Sequence, residues 1–181
     1  MDVGGSHVTA AIVVDGAVIA RADADIDPQG SAEHILGAIA GAGRELGAHS
    51  DWMLAFPGPF DYARGIGTFE GVAKFGSISG VDLRAELGAR LGAAVRFVDD
   101  ADAYIMGEWA AGAARGQARV IGATLGTGVG AAFLVDGHPE GSGPGVPAGG
   151  NLYPEQYRGR PIEDTVSTRA LPTPGHFSRS H

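Results

Sequence analysis

The chain contains no cysteine. That absence excludes disulfides, thiol nucleophiles and cysteine-based zinc sites, and it suits a reducing cytoplasm. Positive charge is scarce as well: 13 Lys+Arg stand against 21 Asp+Glu, a formal net charge of −8. Without a dense basic run there is no electrostatic footprint for nucleic acid or an anionic membrane surface. The longest mostly apolar stretch, residues 120–135, is interrupted by Gly122, Thr124, Gly126, Thr127, Gly128 and Gly130, so no membrane span is expected. Met1-Asp2-Val3-Gly4-Gly5 lacks a basic segment leading into an apolar core, which predicts no signal peptide.

Glycine is what the sequence has in quantity. With Gly 31 and Pro 10 among 181 residues it approaches low complexity without reaching it. A chain of this length suits one large domain or two small lobes and should bury roughly 70% of its unfolded surface, so the glycines call for loops and turns. Residues 8–14 and 17–24 read as paired strands around Asp15-Gly16, a dipeptide that tolerates the positive φ a tight hairpin needs. Ser31 is placed to cap a helix running to about residue 46, with Ile35, Leu36, Ile39 and Leu46 on its apolar face. A short buried strand follows at 52–56, and then a Gly/Pro-rich loop over 57–80 whose length suggests a binding role.

A second helix is expected at 81–91, with Arg84, Glu86 and Arg90 as a solvated face. A strand at 95–98 runs into Asp99-Asp100-Ala101-Asp102 and a helix to about residue 114. Residues 120–125 and 130–135 read as strands around Gly126-Thr127-Gly128, and Asp136-Gly137 closes another turn, repeating the opening of the chain. The expected organisation is a first lobe over 1–115, the start of a second over 116–171 with a short helix near 161–171, and a loose polar tail over 172–181.

Three places could carry chemistry. Asp2-Val3-Gly4-Gly5-Ser6-His7 sets a carboxylate, two glycines and a hydroxyl between strands, where backbone N–H groups could cradle phosphate and the acid could hold a magnesium shell. A plain hairpin needing glycine dihedrals is the competing reading. Thr124-Leu125-Gly126-Thr127-Gly128-Val129-Gly130 is a loop of the same kind. Gly126, Gly128 and Ala131 also fit a dinucleotide fingerprint, the mark of an oxidoreductase, but residues 131–135 read as a strand where that motif needs a helix. Asp99 and Asp100 stand at a strand-to-helix junction, where one could accept a proton from a substrate hydroxyl or both could serve as helix caps. The six histidines have no metal-ligand spacing and read as surface or loop residues, so no zinc site is expected.

Taken in order, Asp2-Val3-Gly4-Gly5-Ser6, Phe56-Pro57-Gly58-Pro59-Phe60-Asp61, Val98-Asp99-Asp100-Ala101-Asp102 with Gly107-Glu108, and Leu125-Gly126-Thr127-Gly128-Val129-Gly130 resemble the ROK family of sugar kinases and related repressors. The resemblance runs from residue 1 to about 171 and implies an α/β, actin/hexokinase-like (ribonuclease H-like) two-lobe fold, the first lobe nearly complete and the second partial. It implies ATP and magnesium, with Asp100 as the base for a sugar hydroxyl and Asp2 organising Mg²⁺ through water. Gly4, Gly5 and Ser6, with Gly126, Thr127 and Gly128, would be the phosphate loops, and Pro57, Gly58, Asp99 and Asn151 would lie on the sugar side. A small-molecule sugar and nucleotide as partners, a homodimer and a cytoplasmic location follow from the same resemblance.

Two departures stand out. The family's Asn before the catalytic Asp is Asp99 here, which sets a like charge beside Asp100. The family's Glu-x-Gly-His segment falls near Gly149-Gly150-Asn151-Leu152, where both functional side chains are missing and Asn151 and Glu155 are the nearby polar groups. The chain also begins almost on the first phosphate loop and ends before the part that encloses adenosine, so the expectation is a truncated or degenerate member. A non-catalytic sugar-binding or regulatory relative is the alternative to a kinase.

Overall fold

The computed structural model describes residues 1–72, 74–126, 128–168 and 170. The expected loose tail over 172–181 lies outside the described residues, as does Thr127. The chain divides into two compact units, Met1–Asp100 and Ala101–His181. The division falls ahead of the helix that follows Asp100, whereas the sequence pattern places the end of the first lobe at residue 115.

The first unit is a mixed five-stranded sheet covered by helices. Strands β1 (Asp2–Val3), β2 (His7–Val14) and β3 (Ala17–Asp25) lead into helix α1 (Ala32–Glu45) and strand β4 (Asp51–Phe56). A small hairpin, β5 (Phe60–Asp61) and β6 (Ile66–Gly67), precedes helix α2 (Leu83–Leu91) and strand β7 (Ala94–Asp99). The strand order is β3-β2-β1-β4-β7. β1 pairs antiparallel with β2, while β4 runs parallel to both β1 and β7.

Local chemistry fixes the element ends. Asp15 (φ 51) and Gly16 (φ 77) take the left-handed region that the tight β2–β3 turn demands. Ser31 caps α1 by accepting from the His34 N–H at 3.2 Å, and Asp82 does the same for Ala85 at 3.0 Å, so α2 begins at Leu83, two residues later than the pattern suggested. Gly92 in the left-handed region ends it. Ile35, Leu36 and Ile39 of α1, Leu83 and Leu87 of α2, and Val3, Val8, Leu54, Phe56, Val95 and Phe97 of the sheet form one core cluster. Each large side chain buried there stabilises the fold by about 1.5–3 kcal/mol.

Two expectations are corrected here. The segment 57–80 is part of the core rather than a plain loop: Phe69, Phe75 and Ile78 are fully buried, and Phe69 and Phe75 pack their rings around Phe56. A Gly76–Ile78 3₁₀ turn helps to hold it down. Nor is the outer face of α2 merely solvated. Arg84 donates to the Ala63 carbonyl at 2.6 Å, and Arg90 bridges to Glu33 of α1 at 2.7 Å. A long side chain on a helix surface reaches whatever the tertiary fold brings near it, which periodicity cannot show.

The second unit opens with helix α3 (Asp100–Ala111), all but its first residue, and a three-stranded sheet in the order β10-β9-β8. Its strands are β8 (Arg119–Leu125), β9 (Val129–Val135) and β10 (His138–Pro139). Asp136 (φ 49) and Gly137 (φ 81) repeat the turn of the first unit. Ile105 of α3, Ala132 and Leu134 are its buried cluster, with Met106, Trp109 and Val120 packed against it. Gly122 is required here, since a Cβ would collide with the Ile105 side chain. A hairpin of β11 (Gln156–Tyr157) and β12 (Arg160–Pro161) precedes α4 (Glu163–Val166), which is a single turn where the sequence suggested a helix over 161–171. Ser167 ends it in an extended conformation.

Candidate active site

In the first unit the site is built at the carboxyl ends of three adjacent parallel strands. Asp2 of β1 stands in register with Ala55 of β4, and Phe56 of β4 with Asp99 of β7. The chain leaves these ends as Gly4-Gly5-Ser6, Pro57-Gly58 and Asp100, so residues far apart in sequence share one edge of the sheet. Ligands bind in such places in open α/β sheets because the turns leave backbone groups and helix N-termini facing outward.

Asp2 is exposed as the first residue of the two-residue strand β1. The following turn is closed by the Gly4 N–H donating to the His7 carbonyl at 2.9 Å, and Ser6 offers its carbonyl to Ile26 at 3.0 Å. Neither Gly4 nor Gly5 has a positive φ, so the turn does not need glycine for its dihedrals as a plain hairpin would. A Cβ at Gly4 would sit 3.2 Å from the His7 carbonyl, whereas one at Gly5 would meet nothing within 4 Å. The glycine at position 5 therefore leaves open space beside the backbone, the condition for close approach of a phosphate.

Pro57 is buried and Gly58 exposed at the end of β4. Tyr62, which the sequence reading passed over, ties this end to β7: its hydroxyl lies 2.7 Å from an Asp99 carboxylate oxygen and 3.1 Å from the Phe56 carbonyl. Asp99 is half-buried as the last residue of β7, and Asp100 is exposed as the first residue of α3. The only sequence hint of Tyr62 was its place directly after the Phe60-Asp61 end of the second motif.

In the second unit Gly126 and Gly128 form the turn between β8 and β9, the Gly126 N–H donating to the Gly128 carbonyl at 3.0 Å. As at Gly5, a Cβ on Gly126 would meet nothing within 4 Å, and its φ is not positive. Glu163, also unremarked from sequence, reaches this turn: one carboxylate oxygen accepts from the Val129 N–H at 3.2 Å and lies 2.8 Å from a Cβ built on Gly128. The Thr168 N–H and hydroxyl both donate to the Gly126 carbonyl at 2.8 Å. Asn151 is exposed and spends its amide on the Gly149 carbonyl at 3.2 Å, and Glu155 is exposed on the same unit. Glu108, part of the third motif, caps the end of α3 by accepting from Ala113 at 2.9 Å. Among the described residues no three His, Asp or Glu side chains gather as a metal-ligand group.

Two units that each contain strand, glycine turn, strand, Asp-Gly turn and strand, the first with Asp99 and Asp100 at the carboxyl end of a parallel strand, define an α/β protein of the actin/hexokinase-like class. Its family model matches residues 1–149, and the chain belongs to the ROK family. It is 30% identical over 142 residues to a glucokinase of Thermotoga maritima, covering 76% of this chain and 44% of that one. The inorganic polyphosphate/ATP-glucomannokinase of Arthrobacter sp. strain KM superposes with a TM-score of 0.73 at 28% identity, over 93% of this chain and 67% of the other. A ROK family glucokinase from Streptomyces griseus, in complex with glucose and AMPPNP, gives 0.70 at 25% identity, over 93% and 56%. The chain thus spans under half the length of the curated glucokinase it matches.

Proposed function

We propose that this chain carries the phosphate loops and the base of an ATP-dependent sugar kinase, which transfers the γ-phosphoryl group of ATP to a hexose hydroxyl. The observation that carries the reading is the register of β1, β4 and β7, which sets Asp2, Phe56-Pro57-Gly58 and Asp99-Asp100 side by side at one sheet edge. Glucokinase and glucomannokinase relatives support it.

Asp100 takes the proton of the attacking sugar hydroxyl while that oxygen bonds to the γ-phosphorus and the bond to ADP breaks. Each unit contributes its glycine turn as a phosphate loop: in the first, Gly5 and Ser6 flank the space while the Gly4 N–H closes the turn on His7, and in the second, Gly128 lies in the turn that the Gly126 N–H closes. The open space at Gly5 and Gly126 fits that role. Exposed Asp2 would hold Mg²⁺ through water, and the ion would supply charge neutralisation for the phosphates. Asp99 and the Pro57-Gly58 turn bear on the sugar, with Tyr62 fixing the orientation of the Asp99 carboxylate. Asn151 is assigned to the sugar side of the second unit. The same reading carries a cytoplasmic location and a homodimer. Among the described residues no helix is long and apolar enough to cross a membrane.

Phosphoryl transfer from Mg-ATP to a panel of hexoses and N-acetylhexosamines tests the proposal. Turnover of at least one sugar is expected. Saturable sugar binding with no turnover would instead identify a regulatory or sugar-binding relative, the reading that Asp99 in place of the family's Asn favours.

A further inference from the structure

We propose that His7 is a phosphate-contacting residue of the first glycine turn, where its ring N–H and the Ser6 hydroxyl donate together to oxygens of a polyphosphate chain. This rests on the phosphate-loop reading of that turn and adds to it a side chain that can supply positive charge.

The sheet edge around the turn is acidic. Parallel strands β1, β4 and β7 end there at Val3, Phe56 and Asp99, and β2 begins there with His7 in register with Asp25, the last residue of β3. Asp2, Asp25, Asp99 and Asp100 all lie within one residue of these strand ends. Among the described residues that begin or end a strand at this edge, His7 alone has a side chain able to carry positive charge. Asp25 faces it across the strand pair, and the row of Asp2, Thr9 and Asp23 comes next on the same face. Carboxylates so placed repel a polyphosphate, and a donor at the turn offsets that repulsion.

The ring is held at the turn by the backbone that closes it. The His7 carbonyl accepts from the Gly4 N–H at 2.9 Å, and the ring turns its Nδ1–Cε1 edge toward Gly4. Cε1 lies 3.6 Å, and Nδ1 3.8 Å, from where a Cβ on Gly4 would sit. Nδ1 is also 3.4 Å from the Ser6 Oγ. That separation exceeds the roughly 2.7–3.2 Å of a well-formed hydrogen bond, so the two groups stand side by side without spending their hydrogens on each other. Both residues are exposed, and beside them a Cβ on Gly5 would meet nothing within 4 Å. Two donors therefore flank open space at the turn. An imidazole keeps at least one ring N–H whether neutral or charged, so the contact does not depend on titration.

Magnesium tripolyphosphate is the probe, because it presents phosphate oxygens without a sugar or a base. In the isotope-labelled 181-residue chain its addition should shift the ring NMR signals of His7. Those of His49, whose Nε2 lies 3.1 Å from the Leu46 carbonyl ahead of β4, should stay in place. His7→Ala should weaken binding at least about threefold, and His7→Lys, which restores a cationic donor, should recover it. Binding that leaves the His7 signals unmoved, or equal affinity in His7→Ala and the parent, would overturn the proposal and leave the phosphate-loop reading standing. A loss in His7→Ala that His7→Lys does not recover would mean that the ring shapes the turn rather than donating, and would overturn it as well. Failure of the folded parent chain to bind tripolyphosphate would overturn both.

Discussion

One residue before the first glycine turn, Val3 lies fully buried in a cluster that also holds Phe56, Phe97 and the inner faces of two helices; one residue before the second, Leu125 lies mostly in solvent. The two units share a backbone plan down to the Asp-Gly turns, with Asp15 and Asp136 at φ 51 and 49. They differ in what is packed beneath. The comparison separates two requirements that usually coincide. A glycine turn between two strands is made by backbone and small residues, and it forms on either sheet. The larger core is built from parallel strands and two helix faces, which the described residues supply on the first unit alone.

The largest expected effect breaks the comparison at the first core. Phe56→Ala removes a ring fully buried among Phe60, Phe69, Phe75 and Phe97 and should cost about 3–5 kcal/mol. The chain has two tryptophans, Trp52 in the first unit and Trp109 in the second, so single-tryptophan variants report each unit in denaturant. The Trp52 transition should shift strongly and the Trp109 transition less. Equal shifts would mean that the units unfold as one.

The next effect acts from the other side. Gly122→Ala drives a methyl into Ile105 and should cost about 1–3 kcal/mol, seen by Trp109 and not by Trp52. Ser31→Ala and Asp82→Ala each remove one helix cap of the first unit and should cost about 1 kcal/mol, now seen by Trp52 alone.

The smallest is electrostatic. Hydrogen bonds from Arg21 and Thr9 hold the Asp23 carboxyl at about 2, below its ordinary 3.8. A depressed acid contributes stability above its unfolded value and loses it as pH falls through the folded one. Wild type should therefore exceed Asp23→Asn in Tm above pH 3.8, and the difference should shrink between there and about pH 2. The Asp23 side chain is exposed, so the difference should be slight.

Which features could be seen in the sequence follows from how local their causes are. The Asp-Gly turns, the Ser31 cap and the strands around both glycine loops depend on residues within a few positions, and the four motifs sufficed to point to the fold. The Asp99–Tyr62 contact spans 37 residues and the Glu163–Val129 contact spans 34, so no periodicity or spacing could reveal them. The segment 57–80 misled for a different reason. Its glycines and prolines signalled a loop, while Phe69, Phe75 and Ile78 within it are core residues that obey no regular period. The single turn of α4 was overestimated because Ser167 returns the chain to extended backbone at once.

Asp100, at the junction of β7 and α3, is the proposed base for phosphoryl transfer to a sugar. Single-turnover transfer from Mg-ATP to glucose, measured for the chain and for its Asp100→Asn variant, tests it most directly. The variant should bind glucose as tightly as the parent and transfer at least about 100-fold more slowly. Transfer at the parent's rate by Asp100→Asn would contradict the claim.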